Sequence, residues 1–342
     1  MTVIDTDGFR SARAAVSAET GLAVAVLIPC YNEAAAIAQV VADFRTALPE
    51  ARIYVYDNNS TDGTAAIARA AGAEVRREPR QGKGHVVRRM FADVDADIYV
   101  MVDGDGTYDA AAAPAMVQAM TDNGLDLVNG VRVASSDTAY RPGHAFGNRM
   151  LSGLVRTIFG RGSSDMLSGY RVFSRRFVKT FPMMARGFEI ETELTVHSLE
   201  LGMPMDEVPG RFTDRAAGSE SKLNSVRDGL RILSTILRLL KQERPMALFG
   251  TMGAVGAALS LGLGMPVVAE YLSTGLVPRL PTALLAASLM LMACLGFTAG
   301  LILETVTRGR QEMKRMTYLS VPGVLARLEG RAPAPARAVR AG

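Results

Sequence analysis

The sequence predicts an α/β domain on a mostly parallel sheet with helices on both faces, then an amphipathic helix and an apolar helical hairpin. Three observations carry that prediction. Short apolar runs alternate with helix-period segments four times between Ala23 and Val133, the pattern of a parallel sheet covered on both sides. Each of the strong runs ends in polar residues. The apolar excess of the 342-residue chain, which is 49 % hydrophobic, gathers between Met246 and Leu303.

The elements follow in order. Residues 1–21 are rich in Ala, Ser and charge. They lack the apolar core of a signal peptide and read as a flexible tail, which keeps the first domain in the cytoplasm. Ala23 to Ile28 is a continuous apolar run closed by Pro29, a buried parallel strand. Between Glu33 and Leu48, Ile37, Val40, Val41, Phe44 and Leu48 recur at helical spacing. Ile53 to Tyr56 is a strand, closed by the turn-rich Asp57 to Gly63. A helix over Thr64 to Ala71, a short strand over Ala73 to Arg76 and a helix over Gly84 to Asp93 come next. Ile98 to Val102 is an apolar strand ending at Asp103. A helix over Ala112 to Thr121 and a strand over Asp126 to Val133 complete the alternation.

The second half is less regular. Gly143 to Phe159 and Glu189 to Leu201 are expected to be helical, and Met205 to Phe212 to be a strand. Leu223 to Leu240 is amphipathic, with Val226, Leu230, Leu233, Ile236, Leu237 and Leu240 on one side and Arg227, Arg231, Arg238 and Lys241 around them. It reads either as a helix lying in a membrane interface or as a core-facing helix. Met246 to Leu272 and Leu280 to Leu303 are each long enough to span a hydrocarbon core of roughly 30 Å. Basic residues bracket the pair: Arg238, Lys241 and Arg244 before, Arg308, Arg310, Lys314 and Arg315 after. The positive-inside rule then places both termini and the first domain in the cytoplasm. The expected organisation is a tail over 1–21, the α/β domain over 22–222, a juxtamembrane helix over 223–244, the hairpin over 245–306 and a cytoplasmic tail over 307–342. After Val321 the composition of Ala, Pro and Arg suggests no regular structure.

In parallel sheets ligands sit at the carboxyl ends of the strands, and the chemistry gathers there. Asp103 and Asp105, one residue apart on a turn opened by Gly104 and Gly106, can meet one Mg²⁺ or Mn²⁺ and leave positions open for phosphate oxygens. The calcium-loop pattern is not satisfied. Asp57 can accept from a base or a ribose hydroxyl, while Thr61 or Asp62 can cap the next helix. Gln81-Gly82-Lys83-Gly84 can bring a lysine and open backbone amides to phosphates. No P-loop spacing and no Gly-x-Gly-x-x-Gly follow the first strand, which argues against a dinucleotide oxidoreductase. The two cysteines, Cys30 and Cys294, offer neither a disulfide nor a metal spacing. The net charge of +4 suits an anionic membrane or phosphorylated ligands; no nucleic-acid partner is expected. His85, His144 and His197 have no partner spacing and read as structural.

Pro29-Cys30-Tyr31-Asn32-Glu33, Asp57 to Thr64, Gln81 to Gly84 and Asp103 to Asp105 occur in that order. Together they resemble the inverting family 2 glycosyltransferases of the GT-A fold, a Rossmann-like architecture. Asp165 to Arg171 and Arg215 to Leu223 resemble the polyprenyl-phosphate branch, which includes dolichol-phosphate mannose synthases and bacterial undecaprenyl-phosphate glucosyltransferases. The resemblance runs from Ala23 to Tyr318. It implies a nucleotide-sugar donor (UDP or GDP), a polyprenyl phosphate acceptor, the inner membrane as location and assembly into oligomers, a tetramer among them. By the same resemblance Pro29, Tyr31, Glu33 and Asp57 hold base and ribose, and Asp103 and Asp105 hold the metal and diphosphate. Arg171 and Lys222 meet donor or acceptor phosphates, Ser221 lies on a closing loop, and Arg215 positions that loop. Asp165 stands either as general base or as the group that orients Arg171 or the sugar, because a phosphate monoester with a second pKa of about 6 needs little deprotonation. Of Glu189, Glu191 and Glu193, the first and last share a helix face and Glu191 does not, so at least one is read as solvated.

Other readings are weaker in the residues. A processive polysaccharide synthase carries a Gln-x-x-Arg-Trp segment, and this chain has no Trp. A transferase acting on a glycan or glycolipid shares the early motifs. A non-catalytic scaffold would not need the carboxylates, and a nucleotidyltransferase would carry a Gly-rich start.

Overall fold

Val24–Cys30 forms β1, and every residue of it is buried, as expected for a central strand covered on both faces. The computed structural model describes residues 21–134, 150, 153, 155–157, 164–183, 185, 187, 189–213, 215 and 225–330, with backbone alone at 134 and 225–231. The chain divides into two units, residues 1–233 with 316–342, and residues 234–315.

In the first unit β1 is followed by α1 (Ile37–Ala47), β2 (Arg52–Asp57), α2 (Thr64–Ala70), β3 (Glu74–Arg77), α3 (Lys83–Asp93), β4 (Ile98–Met101), α4 (Ala113–Asn123) and β5 (Leu127–Ala134). Then come β6 (Arg171–Ser174), α5 (Arg175–Thr180), α6 (Ile190–Leu201) and β7 (Met205–Phe212). One seven-stranded sheet results, in the order β3-β2-β1-β4-β6-β5-β7. β1 pairs in parallel with both β2 and β4, so the strand order reverses between β1 and β4. That reversal opens a crevice at their carboxyl ends. Successive side chains point to opposite faces. Val26, Ile28, Val55 and Val100 go under α1 and α4, while Leu27, Tyr54, Tyr99 and Phe173 go under α3, α5 and α6. Each such apolar side chain contributes about 1.5–3 kcal/mol when fully buried.

The sheet is mostly parallel but departs from the expectation at β6. This strand was not anticipated, and it runs antiparallel between β4 and β5. Its four residues, Arg-Val-Phe-Ser, are too short and too polar to show a strand period. α5 was missed for the same reason of length. Of the helix expected over 143–159, residues 150, 153 and 155–157 are helical, and the others lie outside the described residues, as does His144.

The chain after Val321 differs too. α10 (Val324–Glu329) is a helix, and Val324 is buried in the same core as β1. Arg327 Nε lies 2.6 Å from Asp97 Oδ1. The Tyr318 hydroxyl donates to Asp126 Oδ2 at 2.6 Å, and the Arg176 guanidinium stacks over the Tyr318 ring at 4.1 Å. The composition hid these contacts, because two buried aspartates far back in the sequence supply them.

In the second unit, α8 (Pro245–Thr274) and α9 (Leu280–Ser320) are long and apolar enough to cross a membrane. α9 continues past Leu303, where the expected span ends, so the charged stretch after it is helical. Only 17 % of the most apolar window of each is buried, whereas the core hairpin of a soluble protein would be mostly covered. The buried residues of α8 include Gly253, Ser260 and Val267, and those of α9 are Ala286, Ala293, Gly300 and Thr307. Both sets repeat at seven residues, the interval that keeps one seam between two helices. A Cβ on Gly253 would stand 3.0 Å from the Ala293 carbonyl, and Ser260 Oγ donates to the Ala286 carbonyl at 2.7 Å. Small residues let the two backbones approach. The amphipathic helix is α7 (Ser225–Glu243). Thr307 Oγ1 donates to the Gln242 carbonyl at 2.9 Å, and Lys314 pairs with Glu243 at 3.3 Å, so the last turn of α7 is tied to α9.

Candidate active site

The loops after β1 and β2 are stitched into one wall. Asn32 takes a left-handed φ of 55°. Its backbone N–H donates to Ser60 Oγ at 2.9 Å, and its side-chain oxygen accepts from the Thr61 N–H at 2.8 Å. Glu33 N–H donates to Thr64 Oγ1, and Ala34 N–H to Asp62 Oδ2, both at 2.9 Å. Burial tends to raise the Asp62 carboxyl, but hydrogen bonds from Thr64 and Ala34 hold it below its ordinary value. Asp62 therefore joins two loops as well as meeting the Thr64 N–H at 3.0 Å. Asn58 extends the wall: its amide donates to the carbonyls of Glu78 and Arg80 and accepts from the Gly82 N–H. Asp57 is buried at the end of β2, with Ser60 N–H 3.4 Å from its carboxylate. Pro29 is buried in β1, and Tyr31 is 40 % exposed beside it.

The acidic turn lies across the switch point. A Cβ on Gly104 would stand 2.5 Å from Cys30 Sγ, so only glycine lets the turn close over β1. Burial pushes the Cys30 thiol up, and Glu33, Asp57, Asp103 and Asp105 add to the effect. Asp105 Oδ1 accepts from the Thr107 N–H at 3.1 Å and Oγ1 at 2.7 Å. Its other oxygen lies 2.7 Å from an Arg215 amino nitrogen, whose second nitrogen is 3.9 Å from Glu33. Asp103 Oδ1 is 2.5 Å from Lys83 Nζ, which is also 2.6 Å from Glu191 Oε1. Burial pushes the Asp103 carboxyl up to about 6, opposed by Lys83 and reinforced by Asp105 and Glu191. For Lys83, burial favours the neutral amine, but the two carboxylates outweigh it and raise its pKa. Lys83 is the first residue of α3, following Gly82 at φ 131°.

A second wall is the stretch before β6. Both oxygens of buried Asp165 accept from the Arg132 guanidinium, at 2.7 and 2.6 Å. The Asp165 carbonyl accepts from the Asn129 amide at 3.0 Å. Gly169 N–H donates to the Tyr108 hydroxyl at 2.8 Å. A Cβ on Gly169 would stand 2.2 Å from Asp103 Oδ2, so this backbone lies directly against the acidic turn.

The structure brings Glu33, Lys83, Asp103, Asp105 and Arg215 together. It does not open Arg171 to that cleft. Arg171 is fully buried in β6 and donates to the carbonyls of Ser168 and Met166 and to Thr195 Oγ1. Its guanidinium braces the 165–168 stretch, which corrects the expectation that it meets a phosphate. Ser221 and Lys222 lie outside the described residues. Two partners were missed. The helix-face argument separates Glu191 from Glu189 and Glu193 without giving any of them a partner, and it is Glu191 that is buried, because α6 turns that face toward Lys83. Glu189 and Glu193 instead accept backbone N–H groups of Gly187 and Ala185. Arg132 carried no motif, and only its register on β5 brings it to Asp165. His85 lies 3.0 Å from Arg88, and His197 packs against Phe177 and Phe181, consistent with structural roles.

Among the described residues, no group of three His, Cys, Asp or Glu side chains could hold a metal ion. The donors that fit a hard divalent cation are the two carboxylates of Asp103 and Asp105. Two carboxylates with phosphates filling the remaining positions suit Mg²⁺ or Mn²⁺.

The glycosyl transferase family 2 model matches residues 25–181. Glycosyltransferase AglJ of Haloferax volcanii is 35 % identical over 306 residues, which is 87 % of this chain and 98 % of that protein. A dolichyl-phosphate hexose transferase of the same organism is 29 % identical over 222 residues, 65 % of this chain and 95 % of its own length. Among solved structures, mannosyl-3-phosphoglycerate synthase from Rubrobacter xylanophilus superposes with a TM-score of 0.54 at 21 % identity, covering 66 % of this chain and 76 % of that one. That likeness is one of fold.

Proposed function

This chain belongs to glycosyl transferase family 2, and from that premise we propose that it moves a hexose from a UDP- or GDP-sugar to a polyprenyl phosphate. The observation that carries the reading is the pairing of Asp103 with Asp105 at the sheet's switch point, beside Lys83 and Arg215. Carboxylates for a cation and side-chain cations for phosphate are what a departing nucleoside diphosphate requires. The wall of Pro29, Tyr31, Glu33 and Asp57 would receive the base and ribose. Mg²⁺ or Mn²⁺ held by Asp103 and Asp105 would neutralise the diphosphate.

The lipid acceptor is supported by the exposed apolar hairpin and by the relative named as a dolichyl-phosphate hexose transferase. A phosphate oxygen attacks the anomeric carbon, the bond to the diphosphate breaks, and the centre inverts. The acceptor is already anionic near neutral pH. With both oxygens on Arg132, Asp165 is read as the group that fixes the acceptor-side wall rather than as a base. The basic brackets of the hairpin support a cytoplasmic site at an inner membrane.

The test is incubation of the full-length protein with polyprenyl phosphate, Mg²⁺ or Mn²⁺ and a panel of nucleotide-sugars, with lipid products read by mass spectrometry. A hexose on the lipid phosphate from one donor is the expected result. Transfer only to a glycan or glycolipid would overturn the acceptor assignment.

A further inference from the structure

Each carboxylate assigned to the divalent cation already holds a cation of the protein. Lys83 Nζ stands 2.5 Å from Asp103 and 2.6 Å from Glu191. Arg215 stands 2.7 Å from Asp105. Lys83 and Glu191 are both nearly inaccessible, with side-chain exposures of 9 % and 5 %. The second oxygen of Glu191, Oε2, is buried and accepts no hydrogen bond among the described residues.

We propose that Lys83 and Arg215 are exchangeable stand-ins that close the Asp103 and Asp105 site to a free divalent ion and open it to an ion arriving with a nucleoside diphosphate, while Glu191 keeps Lys83 in place during the exchange. This rests on the reading of Asp103 and Asp105 as cation ligands. A divalent ion bound to both carboxylates would stand beside two positive charges, and like charges at that range repel strongly in a poorly solvated site. A diphosphate removes the conflict. Its oxygens accept from the guanidinium and the ammonium, and the two carboxylates are released to the ion. An ammonium has three donors. With Asp103 withdrawn, Lys83 can keep Glu191 and offer a donor to phosphate. The free Oε2 gives the ammonium an acceptor to shift onto. Glu191 is thus a positioning residue acting through Lys83. Coupling between two ligands is reciprocal, so the ion tightens the nucleotide as much as the nucleotide tightens the ion.

The test is a titration of the full-length, detergent-solubilised protein with Mn²⁺, followed by the loss of the free-ion electron paramagnetic resonance signal. It is run with no nucleotide, with UDP and with GDP, against protein-free controls for chelation. The wild type should bind Mn²⁺ about tenfold or more tightly with one of the nucleotides, within the usual range of coupling between sites. Arg215→Gln and Lys83→Met should each tighten Mn²⁺ alone and shrink the gain from nucleotide. Arg215 is 27 % exposed, so its variant serves if removal of the buried lysine unfolds the chain. Equal Mn²⁺ affinity with and without nucleotide in the wild type, or variants that bind Mn²⁺ alone no better than the wild type, would overturn the exchange while leaving the cation site standing. No Mn²⁺ binding under any condition would remove the cation reading beneath it.

Discussion

Asp105 is the residue on which the site turns. One oxygen is spent on Thr107, which fixes the turn, and the other faces Arg215. Asp105→Ala should abolish transfer with every donor; full retained activity would remove the assignment. Gly169 gives a subtler probe. A methyl there would meet the Asp103 carboxylate and push it out of place. Misplacing a reacting group by an ångström can cost about 10²-fold, so Gly169→Ala should lower kcat by about that factor with the fold intact. Wild-type kcat in that variant would mean that Asp103 does not need this position. At this scale the sequence was legible where residues sit in one turn, as Asp103 and Asp105 do. It was misleading where the partner is distant. Arg171 reads as a phosphate contact in its motif, but a strand invisible to periodicity buries it. Glu191 reads as the odd residue of a helix face, but that face is the one turned to Lys83.

At the scale of elements, most of the alternation up to β5 was visible in apolar runs, and boundaries moved by a few residues. β6 and α10 were not, because each is short and takes its order from long-range contacts. Asp126 shows the cause. It is fully buried and accepts from Ser174, Arg176 and Tyr318, so one carboxylate joins β6, α5 and the C-terminal end of α9. Breaking a buried ion pair by removing one partner's charge costs about 3–5 kcal/mol. Asp126→Asn should therefore lower the unfolding midpoint measured in detergent by several degrees. It should also expose the bonds after Ser320 to protease first. An unchanged midpoint and unchanged cleavage would show that the C-terminal contacts are incidental.

Across the whole molecule, the two units distribute their apolar residues differently. The first hides its apolar residues inside two layers about a sheet. The second leaves Leu259, Leu261, Leu291 and Leu295 exposed and buries mostly small residues, which is the arrangement suited to lipid. The two long apolar helices were legible in the sequence, because an apolar run of this length is set by composition over twenty residues rather than by contacts. The full-length protein should remain with vesicles after an alkaline carbonate wash. Release into the supernatant would contradict a spanning hairpin.

The central claim is a single displacement that leaves the sugar on a lipid phosphate, and the configuration of the product tests it most directly. Nuclear magnetic resonance of the purified lipid-linked sugar formed from an α-linked nucleotide donor should show the β-anomer, joined to phosphorus through the anomeric oxygen. An α-linked product, or a sugar joined to any acceptor other than the phosphate, would contradict it.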